Sequence, residues 1–119
     1  MHLMVMVLNE TNNLKEILEK LNEVGVAEVT VIDSRGVGRV ICDKIPIFGG
    51  LRQLFNDCRF ENITVFSVIE EEMITEAIEA VEAVTGNLNV AGKGILFTFP
   101  LQQVRGVVPK QDKFPFLKL

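Results

Sequence analysis

Few residues in this chain have the type and spacing for chemistry, and most of those are glycines beside a cation. Gly92-Lys93-Gly94 is the sharpest case. A glycine-rich turn exposes backbone N–H groups that can cradle an anion, and the lysine adds charge, which together suit a phosphate. The plainer reading is a tight turn with Lys93 solvated. Gly36-Val37-Gly38-Arg39 offers the same pairing, or else a flexible hinge. Arg35, Arg39 and Arg105 are the arginines nearest these turns, and solvation is the default for each. Cys42 and Cys58 could close a disulfide, but spacing does not fix connectivity, and two free thiols are the expectation. With one histidine, His2, and no Cys-x-x-Cys spacing, metal binding is poorly supported. Glu70-Glu71-Glu72 could gather a hard cation, but a solvated helix start is the expectation, and no Ser–His–Asp or Cys–His set can be assembled. The chain is not expected to be an enzyme.

Composition narrows the class. A chain of 119 residues is most simply one domain. Its 48% hydrophobic content and mean hydropathy of +0.29 are high for a small domain, which leaves much of its surface in water. Part of that surface is therefore expected to meet other subunits. The net charge is −4 with no basic block, which argues against nucleic acid as the partner. No apolar run reaches the roughly 18 residues of a membrane span, so no direct membrane insertion is expected. Met1 to Leu8 lacks the features of a signal peptide, and the cysteine usage fits a reducing cytoplasm.

The elements that must hold these residues come in two similar halves. Leu3–Leu8 is a short apolar run that reads as a buried strand. Thr11 is a candidate helix N-cap. Leu14, Ile17, Leu18 and Leu21 recur at helical spacing, and Gly25 is the expected stop. Val26–Ile32 is rich in β-branched residues and reads as the second strand. The order then repeats: a strand over Ile63–Ile69, acidic residues favouring a helix N-terminus, a stripe of Ile74, Ala77, Ile78, Val81 and Val84, a stop at Gly86, and a strand over Gly94–Phe99. Two β-α-β units predict an α+β, ferredoxin-like sandwich: one antiparallel sheet with both helices on one face. The strands are apolar on both parities, so the second face also needs cover, and a closed symmetric oligomer supplies it.

Between the halves runs a central loop, residues 35–59. Most connections are about 4–6 residues long, so this one is expected to work. Ile45, Ile47, Phe48, Leu51, Leu54 and Phe55 make it apolar. Either it folds back on the domain, or these residues await a partner and dock in the manner of a helix in a groove. The domain is expected over residues 1–106, with 107–119 as a C-terminal arm.

Three segments resemble P-II signal proteins. Val31-Ile32-Asp33-Ser34-Arg35-Gly36-Val37-Gly38-Arg39 looks like the start of their long loop. Thr85-Gly86-Asn87-Leu88-Asn89-Val90-Ala91-Gly92-Lys93-Gly94-Ile95 resembles their phosphate-facing second loop. Leu101-Gln102-Gln103-Val104-Arg105 lies where their basic third loop begins. The resemblance spans residues 3 to about 106. It implies the ferredoxin-like fold, a homotrimer, ligands in the clefts between subunits, and a long loop that ligands reshape for docking on a target. By the same resemblance, Gly36, Gly38 and Arg39 match the loop entrance, Gly92 and Lys93 a pair that faces nucleotide phosphates, and Arg105 the first of two arginines. The chain departs from the pattern in four places. An extra residue falls within Asn87–Gly92. Val107 replaces the second arginine. Val40 replaces the glutamine that helps bind Mg and 2-oxoglutarate. No tyrosine is present to accept uridylylation.

The leading expectation is a regulatory homotrimer. It binds a small anionic ligand, an adenine nucleotide, through Lys93 and Arg105, with Gly36, Gly38, Gly92 and Gly94 letting backbone approach. The central loop relays binding to a target enzyme or membrane transporter. A ligand-free adaptor or structural trimer is the alternative, and a CutA-like trimer associated with divalent metals is a third.

Overall fold

The computed structural model describes residues 1–37 and 59–107, the first two of the second stretch by their backbone. The expected docking residues Ile45, Ile47, Phe48, Leu51, Leu54 and Phe55, together with Gly38, Arg39, Cys42, Cys58 and most of the expected arm, lie outside the described residues.

Strand β1 spans His2–Leu8 and alternates buried with half-buried positions. A three-residue 3-10 turn, Thr11–Asn13, leads into helix α1, Leu14–Glu23. Thr11 is therefore the first residue of this turn and not the expected N-cap, and no side chain caps it. Helix α1 ends as the sequence predicts. Gly25 takes φ 101°, its N–H donates to the Asn22 carbonyl at 3.1 Å, and the Val26 N–H reaches back to Leu21 at 2.8 Å. That pair of bonds is a Schellman closure, which needs a left-handed residue and so favours glycine. The second half repeats the device: a 3-10 turn over Glu71–Met73, then helix α2 over Ile74–Thr85. The Gly86 N–H closes this helix on Glu82 at 2.9 Å.

Strand β2 spans Thr30–Val37, β3 Arg59–Ile69 and β4 Gly94–Pro100. The sheet order is β2-β3-β1-β4, with every neighbour antiparallel. This is the expected ferredoxin-like α+β arrangement. Three boundaries move by several residues: β3 begins at Arg59, not Ile63, and both ends of β2 shift. The second strand begins at Thr30, not Val26, and it runs on through Ser34, Arg35, Gly36 and Val37. Those residues pair with Asn62, Glu61, Phe60 and Arg59. The β2–β3 ribbon thus takes in both ends of the expected 35–59 loop.

Met4, Met6 and Leu8 of β1, Ile63, Val65 and Ile69 of β3, Ile17 and Leu21 of α1, and Ala77, Ala80 and Val81 of α2 form the core. Among the described side chains, those of the opposite parity in β1, β3 and β4 lie on the helix-free face. There, Ile95, Phe97 and Phe99 of β4 stay 56%, 43% and 43% exposed. The Phe97 and Phe99 rings stack at 6.5 Å. Cross-strand register sets Leu3, Val5 and Val7 beside them. A polar island interrupts this face, where the Ser34 hydroxyl bonds the Asn62 side chain and lies 2.8 Å from the Thr64 hydroxyl.

Candidate functional site

Antiparallel register decides which candidate residues can meet. Leu8 faces Gly94 at one end of the β1–β4 pair, and His2 faces Pro100 at the other. Beyond Gly94 the chain turns through Gly92-Lys93, and beyond Leu8 it continues into Asn9-Glu10. These two segments therefore lie face to face. The Asn9 N–H donates to the Lys93 carbonyl at 3.2 Å, and its side-chain amide donates to the Gly92 carbonyl at 3.2 Å. Lys93 Nζ sits 3.7 Å from Glu10 Oε1, and Glu10 Oε2 accepts from the Asn13 amide at 3.1 Å.

The turn's carbonyls are thus occupied by Asn9. Among the described residues, the N–H groups of Ala91 and Gly92 donate no backbone hydrogen bond, and such N–H groups can meet an anion. The loop before the turn is tied to α2 and to itself: Leu88 N–H donates to Glu82 Oε2 at 2.9 Å, and Asn89 N–H to Asn87 Oδ1 at 2.9 Å. Gly92 has φ 89° with open space around its Cα. Gly94 is different. It has φ 139°, and an added Cβ would overlap the Val7 carbonyl oxygen, so its smallness serves the packing of β4 on β1.

Gly36 lies at the same end of the sheet, inside the β2–β3 ladder opposite Phe60. Of the alternative hinge Gly36-Val37-Gly38, the first two residues are held in a ladder by a partner strand, and Gly38 lies outside the described residues. Arg35 is exposed in β2. Arg105 is brought to the opposite end. The Leu101 N–H bonds the Met1 carbonyl at 2.9 Å, anchoring the chain beyond β4 beside the start of β1. Arg105 is exposed and forms no ion pair among the described residues.

A cleft of about 760 Å³ opens near Arg105's end, between segment 25–30 and the 66–70 end of β3, with Met1, Met73 and Val107 on its rim. It exists because β2 joins β3 only from Thr30↔Phe66 onward. The preceding residues peel away and are held by the Ser67 hydroxyl donating to the Glu28 carbonyl. The sequence reading missed Asn9, Glu10, Asn13 and Ser67. Asn9 and Glu10 were findable, since strand ends at Leu8 and Gly94 already place them opposite the glycine-lysine turn.

Among the described residues, no group of three or more His, Cys, Asp or Glu is placed to hold a metal. Among the same residues, no helix is long and apolar enough to cross a membrane. No curated protein matches the chain at a significant level. The model of the family described as nitrogen regulatory protein P-II matches residues 2–111. That match takes in both halves, the segment joining them and the glycine-lysine turn, and on it the chain belongs to the P-II family of nitrogen regulatory proteins.

Proposed function

We propose that this P-II-like regulatory protein is a cytoplasmic homotrimer that binds a small anionic ligand, an adenine nucleotide, in the clefts between subunits. One observation carries the reading. Lys93 and Arg105 lie beyond opposite ends of β4, a strand whose seven residues span about 20 Å at roughly 3.3 Å per residue. Neither side chain can reach the other's phosphate within one protomer. A neighbouring copy that sets its Arg105 end against this Lys93 end makes one site from two halves.

In this reading, one protomer supplies Lys93, the N–H groups around Gly92, and the loop base with Gly36, Gly38 and Arg39. The next supplies Arg105 and the cleft, whose Val26, Phe66, Val68 and Met73 suit the faces of a base. The apolar helix-free face is the surface the trimer covers. Ligand binding shifts the population of central-loop states. Ile45, Ile47, Phe48, Leu51, Leu54 and Phe55 then dock on a target enzyme or membrane transporter. Residues 1–106 form the domain and 107–119 an arm on a neighbour.

A second reading, a ligand-free adaptor, is favoured by Val107 in place of a second arginine and by the pairing of Lys93 with Glu10. Subunit mixing separates the two. ATP at 100 times its dissociation constant should stabilise the wild type by about 2.7 kcal/mol. Lys93→Ala and Arg105→Ala should each lose this. Co-refolding the two variants should restore about one site in three per mixed trimer, because intact halves meet at one interface. No shift with any adenine nucleotide, together with a stably co-purifying protein, supports the adaptor. A metal at stoichiometric amount supports the CutA-like reading.

A further inference from the structure

We infer that Glu10 selects ligands by charge at the Lys93 turn, limiting how much negative charge the site accepts. This rests on the reading that an anionic ligand binds at Lys93. The Glu10 carboxylate is built in. One oxygen lies 3.7 Å from Lys93 Nζ, and the other is held by the Asn13 amide at 3.1 Å. Asn9, its neighbour in the chain, clamps the same turn through both backbone and side chain. The β1–β4 register brings the two segments together, so the fold places Glu10 within reach of Lys93.

Lys93 Nζ is paired with the Glu10 carboxylate. An incoming phosphate must draw Lys93 away from Glu10, or bind with the carboxylate beside it. Either route disfavours a ligand in proportion to its negative charge, because Coulomb repulsion scales with that charge. Both side chains are substantially exposed, at 32% and 51%, so solvent screens the effect to about two- to fivefold in affinity. Glu10 therefore narrows the gap between a nucleoside monophosphate and a triphosphate, which a lysine and N–H groups alone would make wide.

The test is Glu10→Gln, which keeps the shape and the acceptor for Asn13 but removes the charge. Dissociation constants for AMP, ADP and ATP are measured by calorimetry at low and high salt, with Lys93→Ala in parallel. The expected result is a graded gain: ATP about fivefold tighter, ADP less, AMP under twofold, all shrinking at high salt. Glu10→Asp, which keeps the charge, should not show the gain. ATP binding seen only in Glu10→Gln would also support the inference. An equal gain for all three nucleotides, no gain, or the same gain in Glu10→Asp overturns it. If Lys93→Ala binds all three as the wild type does, the site reading itself fails and this inference falls with it. If Lys93→Ala weakens binding while Glu10→Gln changes nothing, only the role of Glu10 fails.

Discussion

Gly94 sits against Val7 so closely that a methyl group at its Cα would overlap the Val7 carbonyl oxygen, and its φ of 139° is in the left-handed range. Backbone cannot step aside as a flexible side chain can. Gly94→Ala should therefore cost about 3 kcal/mol, lowering Tm by about 10 °C or more. Gly92→Ala is the control. It carries a positive φ of 89° but meets nothing within 4 Å, so only the left-handed cost of about 1 kcal/mol applies. Thermal melts of the two variants check this. A Gly94→Ala protein as stable as Gly92→Ala would mean that β4 does not pack on β1 in this register.

Asn62 is buried on the helix-free face, 7% exposed, where the β2–β3 ribbon runs on past the end of β1. Leu8 pairs with Ile63, the last β1 contact to β3, while Ser34 pairs with Asn62 and β2 continues to Val37. The Ser34–Asn62–Thr64 bonds thus pin the ribbon where a third strand no longer supports it. Asn62→Ala should cost about 1 kcal/mol. It should also raise hydrogen-exchange rates for residues 34–37 while leaving the amides of β1 protected. Uniform protection loss across the sheet would show a global effect and count against a local pin.

The helices and the strand order were legible because their signals are periodic. The stripe through Ile17 and Leu21, the stops at Gly25 and Gly86, and the apolar run of β1 all survive in the fold. The second strand was misplaced by four residues at its start. Val26 to Val29 have the β-branched character of a strand, yet Val26 enters the core directly after the helix closure and Glu28 is held by the Ser67 hydroxyl. The true ladder runs through Asp33-Ser34-Arg35-Gly36, whose composition reads as a turn. An edge strand tolerates such residues because one of its sides has no partner to satisfy. At the site, Lys93 was visible but its carboxylate was not. Glu10 is 83 positions away in the chain from Lys93, and only the pairing of β1 with β4 makes them neighbours.

Ser67 is 4% exposed and holds the irregular segment 25–30 in place through its hydroxyl bond to Glu28. Ser67→Ala keeps the volume nearly unchanged and removes that bond. The expected cost is about 1 kcal/mol, seen as a lower denaturant midpoint with the same slope. Since segment 25–30 forms one wall of the cleft, nucleotide affinity should fall more than stability alone explains if the proposed site is the one that binds. Unchanged affinity in a folded Ser67→Ala protein would place the base of the nucleotide elsewhere.

Phe97 lies in the middle of β4 on the helix-free face, opposite Val5, stacked with Phe99 and 43% exposed. Its neighbours on that face, Ile95 and Phe99, are also exposed, and a contiguous apolar surface of this kind marks an interface. A carboxylate placed there would lose its water on assembly without gaining a partner, at a cost of several kcal/mol. Within a single protomer, the same side chain would point to solvent and the core on the opposite face would be untouched. If the proposed trimer forms through this face, Phe97→Asp should keep its far-ultraviolet circular dichroism while its mass in solution falls from three chains to a single 13.3 kDa chain. Nucleotide binding should be lost in parallel, because Lys93 and Arg105 would no longer meet. A Phe97→Asp protein that remains trimeric would remove this face from the interface, and one that binds ATP as a monomer would overturn the two-half site.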